Sequence, residues 1–180
     1  LSGDFLAKFV FKTQPVKFAA MEGQFKTQAH APLRIGGWPD EESQTTKYAV
    51  EVPGGLSFLA AADSTAVVKG LDQVPRSDWP NVGLTHFAFQ IMVGSGTALM
   101  LLSAWFWISY FRKRDAILQK RLLLWAVFLG MPLGFIGLEA GWFVTEVGRQ
   151  PWVIMGVMRT SDSVTPAAGV FGLFVGFSIL

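Results

Sequence analysis

Two long apolar segments, at residues 84–111 and 122–146, constrain this chain more than any other feature. Each supplies the roughly 20 apolar residues that an α-helix needs to cross a bilayer. A further apolar run at residues 167–180 predicts the start of a third, truncated transmembrane helix. The sequence therefore predicts an all-α polytopic membrane protein, a transmembrane helix bundle with a long outer-facing loop region.

The composition supports a membrane protein and excludes several classes of site. Of the 180 residues, 51% are hydrophobic and 16% are charged, whereas soluble domains are about 25% charged. The net charge of +2, without a basic stripe of interleaved aromatic residues, gives no indication of a nucleic-acid partner. The chain has no cysteine, which excludes thiolate-bound zinc, iron–sulfur clusters, cysteine nucleophiles and disulfides within it.

A basic loop at residues 112–121 sets the expected orientation. Positive residues concentrate in the short cytoplasmic loops of membrane proteins, and this loop carries Arg112, Lys113, Arg114, Lys120 and Arg121. Residues 1–83 and 147–166 are therefore both expected on the outer side, where they face one another.

Residues 1–83 form the outer-facing region, in which short pieces of structure are expected between prolines and glycines. Pro15 is placed to open a helix from Val16 to Gln24, and the composition favours a solvated amphipathic face for it. Alternation at Lys47–Val52 predicts a strand. A loop of this length is more often functional or disordered than a mere connection.

Glu139, Trp142 and Glu146 lie near the outer end of the second apolar segment, at a spacing that places them on one helix face. An acid inside a bilayer is costly, and it usually has a partner or a task. A simpler interpretation pairs Glu146 with Arg149 at the interface and makes Trp142 a membrane-belt aromatic. The residues alone leave both interpretations open.

Met92 and two histidines are the candidate metal ligands. The Met92 thioether can serve as an axial haem ligand, although methionine more often fills gaps in apolar packing. His30 lies in the outer region and His86 at the interface, and neither has a ligand partner at a useful spacing. Neither histidine is assigned as a ligand.

Small residues mark surfaces where another helix or a planar ligand can approach closely. Gly94 and Gly96 follow Met92 in the first apolar segment. In the second segment, GxxxG spacings predict close helix packing at Gly130, Gly134, Gly137 and Gly141.

The run GWFVTEVGRQPW at residues 141–152 closely resembles the signature of subunit I of the cytochrome bd quinol oxidases. Three further stretches are similar to the same family in the same order: QPVKFAAME at 14–22, FAFQIMVG at 87–94 and VMRTSDSVTP at 157–166. The first is similar to the start of the family's outer-facing quinol loop, and the second to a helix that carries a haem methionine. The resemblance covers nearly the whole chain from Phe5, and the short outer loop is similar to that of the cyanide-insensitive branch.

This resemblance implies a terminal oxidase that oxidises membrane quinol and reduces oxygen to water. The implied cofactors are a low-spin haem b, a high-spin haem b and a haem d, or a haem b in its place, with electrons passing in that order. Lys17 and Glu22 match the lysine and glutamate of the quinol loop, which are implicated in quinol binding and oxidation.

The resemblance also implies roles for residues around the haems. Met92 matches one axial ligand of the low-spin haem b. Glu146 matches the carboxylate associated with the high-spin haem b, Trp142 matches an aromatic among the haems, and Arg149 matches a residue near the haem propionates. Glu139 is open between a proton route and hydrogen-bonded packing. The same signature run contributes two further candidate site residues, Gln150 and Trp152.

Two departures from the family pattern limit what is carried over. Many long-loop members have arginine where this chain has Gln90, so no propionate contact is carried over to that residue. The family's histidine haem ligands lie in N-terminal helices outside this sequence. The chain is therefore expected to be a fragment of a longer protein and inactive alone.

The implied setting is the bacterial cytoplasmic (inner) membrane. The implied partners are the missing N-terminal helices of the same subunit, oxidase subunit II, a small accessory subunit and membrane lipid. The alternative is a non-catalytic membrane anchor or assembly subunit of a respiratory complex, whose outer loop binds a partner. That alternative predicts a full-length protein that purifies without haem.

Overall fold

The structure, a computed structural model, describes residues 2–112, 117, 119–165, 167 and 169–179. Its helices are α1 Ser2–Thr13, α2 Pro15–Glu22, α3 Gly55–Ala61, α4 Val82–Arg112, α5 Arg121–Val147 and α6 Val170–Ile179. Its strands are β1 Leu33–Ile35, β2 Trp38–Asp40, β3 Thr45–Lys47, β4 Val50–Val52, β5 Trp152–Ile154 and β6 Met158–Arg159. Short 3-10 helices lie at Leu71–Gln73, Arg76–Asp78 and Thr160–Ser163. The described part of the chain is mostly helical, and the three two-stranded ladders found there are elements that the all-α prediction does not include.

Among the described residues, α4 and α5 are the two helices long and apolar enough to cross a membrane. α4 has 31 residues and contains the segment 84–111, and α5 has 27 residues and contains the segment 122–146. Most of their large apolar side chains are exposed, as expected for helices surrounded by lipid or by further helices. The basic loop expected at 112–121 lies partly outside the described residues, as do Lys113 and Arg114.

Glycines of α5 form the seam against α4. A Cβ atom added to Gly141 would lie 3.1 Å from the Met92 sulfur, and one added to Gly137 would lie 3.3 Å from a side-chain carbon of α4. These distances leave little room for a side chain, so the close packing predicted from the GxxxG spacings is confirmed at Gly137, Gly141 and Gly130. Gly134 does not belong to the seam, because no described atom lies within 4 Å of an added Cβ there.

Strands β1 to β4 form one bent two-stranded ribbon. β1 pairs with β4 and β2 pairs with β3, so the two antiparallel ladders are nested in one hairpin. The ladders are interrupted where Gly36 and Gly37, with φ of 69° and 93°, lie opposite Tyr48, with φ of 59°. Left-handed backbone at these positions ends one ladder and bends the strands. The strand predicted at Lys47–Val52 is therefore two strands, separated at Tyr48 and Ala49.

The short helix α2 is the central element of the outer region. Phe18 packs against α3, Ala19 packs in a cluster with Val82 at the start of α4, and Met21 packs against Ala88 of α4 and Val144 of α5. The prediction of a solvated face for this helix is therefore wrong. Apolar contacts on several sides, to partners that are distant in the sequence, bury α2.

Candidate functional site

The helix α2 places Lys17 and Glu22 in the interior of the outer region. Pro15 occupies the first turn of the helix, and Gly23 ends it with a φ of 61°. Glu22 exposes 5% of its surface and Lys17 exposes 8%. Buried charged groups are costly unless they are paired or neutralised, so two of them on one short helix mark a candidate site.

Glu22 is a buried acid that titrates near neutral pH. Burial raises the pKa of Glu22 to about 7, and the positive charge of Arg34 opposes part of that rise. Its Oε2 atom has no hydrogen-bond partner among the described residues. A carboxyl group with a free oxygen and a pKa near 7 is suited to accept a proton from a bound ligand.

Three contacts hold Arg34 beside the end of α2. Its Nε donates to Glu51 Oε1 at 2.9 Å, and its Nη1 donates to Gln24 Oε1 at 2.5 Å and to the Gly23 carbonyl at 3.4 Å. A guanidinium fixed in this place favours the anionic form of Glu22. Arg34 therefore limits how far burial raises the pKa of the buried acid.

Lys17 lies where α2 meets the turn after α5. A Cβ atom added to Gly148 would lie 3.3 Å from Lys17 Cγ and 3.1 Å from the methyl group of Thr85. Burial lowers the pKa of Lys17, the charge of Arg149 lowers it further, and Glu146 opposes both effects. The structure thus brings together two of the sequence motifs, the one on α2 and the one that ends α5.

Glu139, Trp142 and Glu146 lie on the face of α5 opposite its seam glycines, and all three are exposed in the described part of the chain. Glu146 Oε1 lies 3.1 Å from Arg149 Nη2, which is the ion pair that the interfacial interpretation expects. Exposed pairs of this kind contribute only about 0–1 kcal/mol to stability. This face presents two carboxyl groups and an indole to whatever lies beside α5.

Met92 is the candidate haem ligand and is half-buried on α4. Its sulfur lies against Gly141, and the next two glycines of α4, Gly94 and Gly96, have open space where a Cβ would stand. The Met92 thioether and the open surface at Gly96, one turn further along the same face of α4, fit a bulky planar group such as haem, whereas Gly94 lies on the opposite face. No group of three or more His, Asp or Glu side chains in the described ranges is placed to hold a metal ion, so this interpretation depends on Met92.

His86 is fully buried, and the sequence does not predict its contacts. Its Nδ1 lies 2.8 Å from the Met21 carbonyl oxygen, and its Nε2 lies 3.1 Å from the Gly36 carbonyl oxygen. A charged imidazolium donates to both oxygens, and a neutral ring donates to one. Backbone contacts therefore occupy both ring nitrogens of His86. The other histidine, His30, is an exposed residue of the outer region with a φ of 52°.

Gln90 lies one helical turn after His86 and also binds backbone atoms of the ribbon. Its Nε2 donates to the Arg34 carbonyl at 3.0 Å, and its Oε1 accepts from the Gly36 amide at 3.2 Å. Two polar residues spaced four apart at the start of an apolar helix lie on one face, and this spacing is the sequence feature that could have indicated the pair. Their partners are backbone atoms 50 or more residues away, which carry no pattern in the sequence.

Gln150 and Trp152 stabilise the segment after α5. Gln150 Oε1 accepts a hydrogen bond from the Thr160 hydroxyl. The Arg159 guanidinium lies 4.6 Å from the centre of the Trp152 ring and pairs with Asp78 of the outer region. These contacts join the ends of two motifs and attach them to the outer region.

Comparison with known proteins places these motifs in one family. Residues 1–180 match the family model described as "Cytochrome bd terminal oxidase subunit I". The chain is 40% identical over 187 residues to the "Putative cytochrome bd menaquinol oxidase subunit I" of Bacillus subtilis (strain 168). That match covers 100% of this chain and 40% of the relative. The chain is also 28% identical over 224 residues to the "Cytochrome bd-II ubiquinol oxidase subunit 1" of Escherichia coli (strain K12), which covers 88% of this chain and 43% of that protein.

A solved structure agrees with the sequence matches. The bd oxidase from Geobacillus thermodenitrificans is similar with a TM-score of 0.84 and 38% identity, over 98% of this chain and 40% of that chain. The chain thus spans about 40% of the length of these relatives.

Proposed function

This chain belongs to the family of cytochrome bd terminal oxidase subunit I, and from that premise we propose that it carries the quinol-oxidising site of a quinol:oxygen oxidoreductase. The observation that carries the proposal is Glu22, a buried acid with a free oxygen atom and a pKa near 7, on the central helix of the outer region. The whole protein would oxidise membrane quinol and reduce oxygen to water.

Lys17 and Glu22 would act on the quinol. Oxidation of a quinol to a quinone releases two protons and two electrons. Glu22, as a carboxylate, accepts one of these protons on an oxygen atom, and its pKa near 7 suits it both to take up and to release a proton at neutral pH. Lys17 supplies a positive charge that orients a quinol oxygen and favours its deprotonated form.

The residues of α4 and α5 would hold the haems. Met92 would ligate the low-spin haem b through its sulfur, Glu146 would lie at the high-spin haem b, Trp142 would lie among the haems, and Arg149 would bind propionate carboxylates. When bound, the haems supply the irons that accept electrons, and oxygen is reduced at a haem d or at a haem b in its place. Glu139 lies on the same face as Glu146 and is a candidate for a proton route.

The proposed setting is the bacterial cytoplasmic (inner) membrane. α4 and α5 cross it, and residues 1–83 and 147–166 lie on the outer, periplasmic side. The family consists of subunits of a complex, so the further partners are the rest of this subunit, subunit II and a small accessory subunit.

The decisive experiment uses the full-length oxidase with Met92→Leu. We expect loss of the low-spin haem signal from the reduced-minus-oxidised spectrum, and an unchanged signal would overturn the ligand assignment. A full-length protein that purifies without any haem would instead favour the non-catalytic anchor.

The quinol site is tested separately. Lys17→Ala and Glu22→Gln are expected to lower quinol-driven oxygen uptake while the haem bands persist. Glu42→Gln changes an exposed acid of the ribbon and serves as the control. Uptake equal to that of the wild type in both site variants would refute the proposed roles.

A further inference from the structure

The interruption in the ribbon exposes backbone groups that the ladders leave unpaired. Between β1 and β2 the chain passes through Gly36 and Gly37, both with positive φ, and the cross-strand ladder is absent there. Buried backbone donors and acceptors that have no partner destabilise a fold. Other groups of the protein must therefore bind them.

Side chains of α4 supply those partners. Gln90 donates to the Arg34 carbonyl and accepts from the Gly36 amide, so both ends of its side-chain amide are used on one short stretch of the ribbon. His86 lies one turn earlier on the same face of α4, and its Nε2 contacts the Gly36 carbonyl. Trp38 of β2 packs on Phe87 with 4.8 Å between ring centres.

The same histidine also holds the helix that carries Glu22. Its Nδ1 contacts the carbonyl of Met21, the residue before Glu22. A Cβ atom added to Gly23, the residue after Glu22, would lie 3.4 Å from Nδ1 of the ring. His86 therefore binds the backbone just before the buried acid, lies beside the residue just after it, and binds the ribbon at the same time.

These contacts lie on the helix that carries Met92. His86 and Gln90 come six and two residues before it, so the span from His86 to Met92 is about 9 Å along the axis. The seam face of α4, which carries Met92, packs on α5, whereas the face of His86 and Gln90 packs on the ribbon and α2. One rigid helix thus sets the place of Met92 and that of the end of α2.

We propose that His86 and Gln90 form a clamp that docks the ribbon and the end of α2 on α4, and that they are positioning residues for quinol oxidation. The clamp acts through Glu22 and Arg34, because it binds the Met21 carbonyl next to Glu22 and the carbonyl of Arg34 itself, and it does not touch the reacting atoms. This inference rests on the proposed function, because a docked α2 matters for catalysis only if Glu22 serves the quinol.

The test compares Gln90→Glu with the wild type in the full-length oxidase. Glutamate has the shape of glutamine and still accepts from the Gly36 amide, but it places an oxygen against the Arg34 carbonyl. Gln90→Met is the second variant, which keeps the length of the side chain and removes both polar atoms. Gln73→Glu makes the same chemical change at an exposed position of the outer region and is the matched control.

Two readouts are needed. Hydrogen exchange of residues 33–52 reports docking of the ribbon, whatever the protein does with quinol. The KM for quinol, obtained from rates expressed per low-spin haem, reports the quinol site. If undocking leaves about one molecule in ten competent, the KM rises about tenfold, because apparent affinity falls with the competent fraction.

We expect faster exchange and a raised KM in both Gln90 variants, with unchanged haem spectra, and neither effect in Gln73→Glu. A general loss of folded protein would lower the yield but would leave the KM of the remaining haem-containing molecules unchanged. Wild-type exchange in the Gln90 variants would overturn the clamp, and faster exchange with an unchanged KM would overturn its role in positioning. If the wild-type protein did not oxidise quinol, the proposed function itself would be overturned. The hydrogen-exchange result would still show whether His86 and Gln90 dock the ribbon.

Discussion

Met92 and Gly141 face each other across the α4–α5 seam, with the methionine sulfur 3.1 Å from the place of a Cβ atom on residue 141. The glycine therefore leaves room for the sulfur, and a methyl group there must displace it. Overpacking of this kind costs about 1–3 kcal/mol. The relation gives a test of the ligand assignment that leaves Met92 itself unchanged.

Gly141→Ala is expected to alter the low-spin haem band in the reduced-minus-oxidised spectrum of the full-length oxidase. The displaced sulfur would no longer hold the position that a ligand requires. Gly134→Ala is the control, because an added methyl group meets open space there. The same spectrum in Gly141→Ala and the wild type would argue against Met92 as the ligand.

Glu22→Gln is expected to stabilise the protein at alkaline pH while it lowers activity. The pKa of about 7, against 4.5 for an ordinary glutamate, corresponds to about 3 kcal/mol. Because the folded-state pKa is raised, the unfolded chain ionises first as pH increases, so wild-type stability falls between about pH 4.5 and 7 and stays low above that range. The amide cannot ionise and avoids this loss.

The measurement is the thermal unfolding midpoint of the purified oxidase at pH 5 and pH 8, at one scan rate. The difference between Glu22→Gln and the wild type should be small at pH 5 and large at pH 8. Glu42→Gln, at an exposed site, should show little difference at either pH. A difference of the same size at both pH values would contradict the assignment of a raised pKa.

Arg34→Gln is expected to move the pH dependence of quinol oxidation to higher pH. The charge of Arg34 lowers the pKa of Glu22, so removal of that charge raises the pKa further. The carboxylate that accepts the proton then forms only at higher pH. Arg34→Lys keeps the charge and should stay close to the wild-type profile. The profile is measured as quinol-driven oxygen uptake between pH 5 and 9, and a shift of equal size in both variants would rule out a charge effect.

Gly148→Ala is expected to weaken quinol oxidation through Lys17. The added methyl group would lie 2.5 Å from the Val144 carbonyl oxygen, 3.1 Å from the Thr85 methyl and 3.3 Å from Lys17 Cγ. The turn after α5 must therefore shift, and Lys17, which packs against it, shifts with it. Gly83→Ala provides the comparison, since its added methyl group makes only an ordinary contact of 3.7 Å with Asn81. The KM for quinol should rise in Gly148→Ala alone, and equal values in the two variants would show that this contact is not needed.

The sequence predicts those features that depend on local composition. Run length and hydropathy predict the two spanning helices, and glycine spacing predicts the seam, although it includes Gly134, which faces open space. Alternation predicts strand at Lys47–Val52, but it does not predict the left-handed Tyr48 that divides it into two strands. The type of these elements could be predicted from the sequence, whereas the interruption of the strand depends on backbone geometry.

The surroundings of the candidate site could not be predicted, because they depend on contacts between distant parts of the chain. Burial of Glu22 follows from the packing of α2 against α3, α4 and α5. His86 and Gln90 bind carbonyl and amide groups that every residue possesses, so no residue type marks their partners. The resemblance identified Lys17 and Glu22, and the structure adds the Arg34 charge, the free oxygen atom and the clamp.

Glu22 is the last residue of α2, and the left-handed Gly23 ends the helix immediately after it. The aligned peptide dipoles of a helix leave a partial negative charge at its C-terminus, equivalent to about half an elementary charge. A carboxylate at this point is repelled by the backbone of its own helix, in addition to its loss of water. The place where α2 stops is therefore a determinant of proton affinity, and a helix continued by one more turn would make Glu22 a stronger acid without any change in a charged side chain.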